Sequence, residues 1–235
     1  MLDYPRPLIE HLKELRRRII ICLFVLILFS IFIFPFSDKI LNILKNPAPS
    51  SIKKLAIFSP QEGFLIYTKI SIFSALLISM PIIFYNIWVF ILPAIGERFK
   101  RYVLSFIFFS FFFFVFGCLF AYFILIPPAL KFLLSFAKDN LEPVISANKY
   151  ISFVISIIFA SGLSFLLPVL SFILTKLKLI NYKLLKRYYR FVIVFILIFS
   201  AIITPTTDIF NMLLLAIPIF FLYLISILIS FFAKE

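Results

Sequence analysis

The chain has 235 residues, 64% of them hydrophobic and 20% aromatic, and a mean hydropathy of +1.17. A soluble domain is about half apolar, so the composition excludes a soluble globular protein and points to an integral membrane protein with no room for a soluble domain between its apolar runs. The formal charge of +13 would suggest nucleic acid on a soluble chain; here the cations sit in loops beside membrane-length runs, where topology and anionic lipid account for them with no nucleic-acid partner.

Residues 1–18 are polar and basic. Leu8, Ile9, Leu12 and Leu15 recur at helical spacing, with His11, Glu14 and Arg18 on other faces, which predicts a short amphipathic helix able to lie on the cytoplasmic surface. Arg16, Arg17 and Arg18 then precede 19 uncharged residues, Ile19–Ser37. That run is too long for an ordinary secretory signal and no small-x-small cleavage site follows, so it reads as a retained span, about 19–36. A longer polar segment, 38–63, contains Pro47, Pro49 and Pro60, and its Ile40, Leu41, Ile43 and Leu44 suggest a short interfacial helix. Span 2 covers about 64–92, with Pro81 expected to bend it.

The sequence WVFILPAIGERFKRY, Trp88–Tyr102, closes span 2 at a Pro-Ala-Ile-Gly turn and places one carboxylate, Glu97, among Arg98, Lys100 and Arg101. Glu97 either pairs with Arg101, one helical turn on, or receives a cationic partner. Span 3 covers about 102–126 and is expected to stop at Pro127-Pro128. A second polar segment, 129–149, leads to span 4, about 150–175, with Gly162 and Pro168 near its middle. Lys176–Arg190 carries six Lys or Arg and no acid. Span 5 is about 191–203; at Thr204–Asp208 a tight turn is expected, Pro205 closing one span and Asp208 capping the next, span 6, about 209–232.

The fold class is therefore all-α: a single membrane domain of six transmembrane helices, several kinked by proline, with both termini inside. Fifteen of the 23 Lys and Arg fall on the proposed inner side, in short segments. Kinks at Pro81, Pro168 and Pro218 would shape a concave wall. Span 5 is short: the 17 uncharged residues Phe191–Thr207 reach roughly 26 Å at about 1.5 Å per residue, against a hydrocarbon core of about 30 Å. It either thins the bilayer locally or packs against longer neighbours.

One His, two Cys (Cys22 and Cys118) inside apolar runs, and four scattered Gly offer no metal site, no cofactor site, no triad and no phosphate loop, so an enzyme is not expected. No Asp, Glu, Lys or Arg lies deep within a span, which argues against the alternative function, a small-solute secondary transporter or channel. Polar resources instead gather at the cytoplasmic face: His11, Glu14, Arg16, Arg17, Glu97 and the second basic loop. This is the pattern of a receptor surface rather than a catalytic pocket.

Nine motifs then carry a resemblance. They are LIEHLKELRRR (Leu8–Arg18), Pro47, SPQEGF (Ser59–Phe64), PIIFYNIWVFILPA (Pro81–Ala94), FAYF (Phe120–Phe123), YISFV (Tyr150–Val154), GLSFLLPV (Gly162–Val169), TPTTD (Thr204–Asp208) and LLAIP (Leu214–Pro218). In this order, over nearly the whole chain, they resemble the TatC family, the membrane receptor of the twin-arginine protein translocase. The resemblance implies a protein of a bacterial-type cytoplasmic (inner) membrane that binds the twin-arginine signal peptides of folded precursor proteins at its cytoplasmic face. It also implies recruitment of TatA- and TatB-type single-span partners, export driven by the proton-motive force, and self-association.

By the same resemblance, Glu14, Glu97, Arg17 and Phe90 are the signal-peptide-binding candidates. Pro47, Glu62, Pro93, Leu166, Pro168 and Asp208 are structural or partner-contact candidates. Three positions depart from the family pattern. Glu97 stands four residues after Pro93 rather than about six, where Phe99 is found; Leu166 and Leu167 stand where many relatives have a span 4 glutamate; and Leu224 stands at a span 6 glutamate. The resemblance favours a solvated face at Leu166, on which a glutamate would be tolerated.

Overall fold

The computed structural model describes residues 8–49, 55–95, 103–136, 144–176, 178–204 and 208–233, with the backbone alone at 8–11, 92–95 and 103. The helices are α1 (Leu8–Ile33), α2 (Ser37–Lys45), α3 (Pro60–Ile95), α4 (Val103–Phe120), α5 (Ile126–Leu134), α6 (Ala147–Ser164), α7 (Leu167–Lys176), α8 (Tyr182–Arg187), α9 (Tyr189–Ile203) and α10 (Ile209–Phe232). Among the described residues the one β-bridge pairs Ala56 with Ser146. Five helical stretches are long and apolar enough to cross a membrane, and α9 is a shorter apolar sixth. The fold is thus all-α, as the apolar runs required.

The chain forms two compact units. One comprises residues up to Ser37 and Thr68–Phe111, the other Asp38–Tyr67 and the chain from Phe112 onward. In the first, Leu23, Phe24, Ile27, Ile31 and Phe32 of α1 are exposed, as expected of a helix whose surroundings are lipid rather than water. Trp88 of α3 is 4% exposed. Its Nε1 donates to Ser110 Oγ at 3.3 Å, and its ring lies 5.5 Å from Phe106, so the indole satisfies its polar edge while burying its rings. The hydroxyls of Ser37 and Ser71 meet at 2.7 Å.

In the second unit, α10 packs against α7 and α9. Hydroxyls join α7 to α10: Ser171 Oγ donates to the Ser226 carbonyl at 3.3 Å, and Thr175 Oγ1 and Ser230 Oγ lie 2.8 Å apart. Small residues let α4 and α6 approach closely. A Cβ on Gly117 would fall 2.8 Å from the Ser161 carbonyl oxygen, and one on Gly162 would fall 2.8 Å from Cys118 Sγ. Ser161 Oγ uses the proximity to donate to the Gly117 carbonyl at 2.9 Å.

Four expectations change. The amphipathic segment expected to end at Arg18 runs unbroken into span 1 as α1. Span 3 does not stop at Pro127-Pro128. A π-turn at Ala121–Leu125 leads into α5, and the prolines occupy its first turn, where backbone N–H groups need no intrahelical partner. Span 4 is broken at Phe165–Leu166, where Leu166 N bonds the Leu163 carbonyl at 3.1 Å, and Pro168 sits just inside the restarted α7. Finally, the basic loop contains a helix, α8, whose N-cap Asn181 accepts from Leu184 N at 3.0 Å. Its missed signal is a single Asn ahead of six residues.

Candidate functional site

The charged candidates on α1 are local in origin. In ELRRR, Glu14 and Arg18 stand one helical turn apart, and the pair forms: Arg18 Nη2 approaches Glu14 Oε1 at 2.5 Å and Nε reaches the same oxygen at 3.2 Å. The Glu14 side chain is only 22% exposed. Two guanidinium nitrogens on one carboxylate oxygen is a charge-assisted contact. Arg17, the neighbouring position, is exposed. The i,i+4 spacing that offers Glu97 a partner in Arg101 offers Glu14 one in Arg18.

Phe90 lies on α3, half-buried, in the same unit as Glu14 and Arg17. Pro93 continues α3 rather than ending it. Glu97 lies outside the described residues, as do Arg98, Lys100 and Arg101.

The remaining candidates belong to the second unit and hold helix ends. Pro60 begins α3, and Glu62 in its first turn accepts from Phe58 N at 2.8 Å, which satisfies a backbone donor ahead of the helix. Pro47 follows α2, half-buried, in a turn closed by Asn46 N to Ile43 O at 3.1 Å and Ala48 N to Lys45 O at 2.9 Å. Asp208 caps α10: Oδ1 accepts from Asn211 N at 2.7 Å and Oδ2 from Asn211 Nδ2 at 3.0 Å. Residues 205–207 of the expected tight turn lie outside the described residues.

Two tyrosines that the motifs contained, without a role assigned to them, complete this region. Tyr122 OH donates to the Ile43 carbonyl at 2.7 Å and Tyr150 OH to the Leu44 carbonyl at 2.9 Å. Both carbonyls belong to the last turn of α2, where acceptors lack a partner within the helix; Ile43 O also accepts from Asn46 N of the turn that follows. Phe132 stacks on Phe210 with centroids 4.0 Å apart, fixing α5 against the capped start of α10.

Leu166 is 8% exposed and Pro168 is fully buried. Leu166 borders a cavity of about 540 Å³ lined mainly by aliphatic and phenylalanine side chains of α7, α9 and α10, with Ser164, Ser171, Tyr223 and Ser226 among them. The solvated face expected there is instead an apolar one. Among the described residues, no three His, Cys, Asp or Glu side chains cluster as metal ligands would.

A family model described as Sec-independent protein translocase protein (TatC) matches residues 10–218. The chain is 36% identical over 234 residues to the Sec-independent protein translocase protein TatC of Carboxydothermus hydrogenoformans, covering 100% of this chain and 96% of the relative. It is 37% identical over 224 residues to the TatC of Campylobacter jejuni, covering 93% and 91%. A crystal structure of the twin-arginine translocase receptor TatC superposes with a TM-score of 0.88 at 36% identity, covering 96% of this chain and all of that one (100%).

Proposed function

The chain belongs to the TatC family of Sec-independent protein translocase proteins, and from that premise we propose that its first unit receives the twin-arginine signal peptide of a folded precursor. It is a multi-pass membrane protein and a translocase component, not an enzyme, which leaves no place for the small-solute transporter or channel. Glu14 is one receiving carboxylate and Glu97 the second, with Arg17 and Phe90 as further signal-peptide contacts.

The observation that carries the reading is Glu14 itself. It sits at reduced exposure on a helix that continues into the apolar span, and it already holds an arginine guanidinium at 2.5 Å. A signal-peptide arginine would take the place of Arg18. Planar two-nitrogen contacts favour Arg over Lys at such a carboxylate. The field around it is repulsive, since fifteen Lys and Arg share the proposed inner side, so recognition depends on local carboxylates.

The finer parts of the reading follow the family. The protein lies in the cytoplasmic membrane with both termini inside, works with TatA- and TatB-type single-span proteins, self-associates, and exports cargo on the proton-motive force. Pro47, Glu62, Pro168 and Asp208 serve by shaping helix ends, Pro93 from within α3, and Leu166 by lining an apolar cavity.

The test is capture of a peptide carrying paired arginines by the purified protein. Paired lysines should abolish capture. Glu14→Gln and Glu97→Gln should each weaken crosslinking at least about tenfold, or about 1.4 kcal/mol, while Glu10→Gln changes it little. Capture that ignores the arginines would defeat the proposal; parental binding by Glu97→Gln would reduce that residue to a solvated loop charge.

A further inference from the structure

We infer that the cavity between α7, α9 and α10, together with the basic segment that closes one end of it, is a binding site for one anionic phospholipid. The inference stands apart from signal-peptide recognition, since it rests on the second unit alone. The cavity measures about 540 Å³, within the usual range of roughly 300–1,000 Å³ for small-molecule sites. Its walls include Leu166, Leu170, Phe195, Phe199 and Ile219.

Four hydroxyl-bearing side chains also line it, and each hydroxyl donates to a carbonyl of the protein. Ser164 donates to Ala160 O at 2.7 Å, Ser171 to Pro168 O at 2.9 Å, Ser226 to Leu222 O at 2.8 Å, and Tyr223 to Leu185 O at 2.6 Å. With their protons committed, these groups offer a polar occupant little, and burying such an occupant would cost more than burying hydrocarbon. The cavity therefore suits an acyl chain.

Charge decides which lipid. Toward the segment that joins α7 to α9, the cavity is lined by Leu174, Ile180, Leu185 and Val192. Each stands within two positions of a cation: Lys176 beside Leu174, Lys178 beside Ile180, Lys183, Lys186 and Arg187 beside Leu185, and Arg190 beside Val192. No acid interrupts Leu174–Val192. Lys178, Lys183, Lys186, Arg187 and Arg190 are exposed. The Tyr223–Leu185 bond ties α8 to α10, so this rim is fixed to the cavity it borders. A hydrocarbon slot flanked by a segment that carries six cations and no acid complements one acyl chain and a phosphate-bearing head group.

The test uses phosphatidylglycerol with a diazirine on one acyl chain, in nanodiscs of phosphatidylcholine holding the full-length protein, with labelled residues mapped by mass spectrometry. Diazirine phosphatidylcholine serves as the neutral comparison. Labelling on Leu170, Phe195 and Phe199 should favour phosphatidylglycerol by about fivefold or more, the effect of roughly one surface cation acting on an anionic head group. Combining Lys183→Gln, Lys186→Gln and Arg187→Gln, all exposed positions, should cut that preference severalfold without reducing phosphatidylcholine labelling. Leu170→Trp, which fills the cavity, should lower phosphatidylglycerol labelling of Phe195 and Phe199 severalfold.

Equal labelling by the two lipids in the parent would overturn the proposal and leave the cavity to unselected chains or to a partner's apolar helix. A preference undiminished in that triple variant would overturn it too. So would competition by soluble glycerol phosphate, which would assign the loop to phosphate without the cavity.

Discussion

Tyr150 donates its hydroxyl to the carbonyl oxygen of Leu44, 2.9 Å away and 106 residues earlier in the chain. The bond is buried, and it supplies an acceptor at the end of α2 with a partner that the helix cannot provide. Tyr122 adds a second donor, at an exposed position, to the Ile43 carbonyl, which already accepts from Asn46 N.

Removing the two hydroxyls should therefore have unequal effects. Tyr150→Phe leaves a buried carbonyl unpaired and should destabilise the protein by about 1–3 kcal/mol, whereas Tyr122→Phe, where water can substitute, should cost about 0.5–1.5 kcal/mol. Thermal unfolding in detergent would rank them; an equal or reversed order would show that α2 is not held by these bonds.

The glycines separate in the same way. Gly117→Ala sets its Cβ against a backbone oxygen and should destabilise by about 1–3 kcal/mol or prevent folding. Gly162→Ala meets side-chain atoms of Cys118 and Phe114, both buried; it should destabilise too, but less than Gly117→Ala, because side chains yield more readily than backbone. Gly63→Ala meets nothing within 4 Å and should be neutral or stabilise α3 by up to about 1 kcal/mol.

Arg18 is a resident competitor for the carboxylate that recognition needs. The pair is partly exposed and contributes at most about 1 kcal/mol. Arg18→Gln should accordingly tighten binding of a paired-arginine peptide, by up to about fivefold. Weaker binding in peptide titrations would mean that Arg18 orients Glu14 instead of occupying it.

At Leu166 the structure reverses the expectation drawn from the resemblance. A carboxylate placed among apolar side chains at membrane depth costs a few kcal/mol, and the hydroxyls nearby are committed to carbonyls. Leu166→Glu should lower the yield of folded protein, while Leu166→Gln should lower it less. Normal yield and export by Leu166→Glu would show that water reaches the cavity.

Orientation is tested by single cysteines in a chain lacking Cys22 and Cys118. An impermeant reagent applied to intact cells should label position 46 and spare position 186. Labelling at 186 would invert the topology.

Spans were legible because lipid imposes a simple rule: long uncharged runs must be helices. Asp208 was legible as a cap because capping is local, and the shortness of α9 could be counted directly. What sequence spacing concealed depended on contacts across the chain. The prolines at 127 and 128 read as a stop because their tolerance depends on the π-turn before them. Tyr122 and Tyr150 read as motif letters because their acceptors lie on α2, far away in sequence. Leu166 read as solvated because its surroundings come from α9 and α10. Glu14–Arg18 is a different case, a local pair whose i,i+4 spacing is legible in the sequence itself.

The π-turn at Ala121–Leu125 has one more consequence. A wide turn holds about one residue beyond what an α-helix of the same rise would hold, and each residue advances an α-helix by about 100°. That surplus residue sets the angular phase between Tyr122, which must point at α2, and Phe132, which must point at Phe210. Deleting one residue from Ala121–Leu125 would restore ordinary helical pitch and rotate one aromatic anchor away from its target. The turn works as a vernier within the helix, tuning two contacts on one continuous path to two different neighbours.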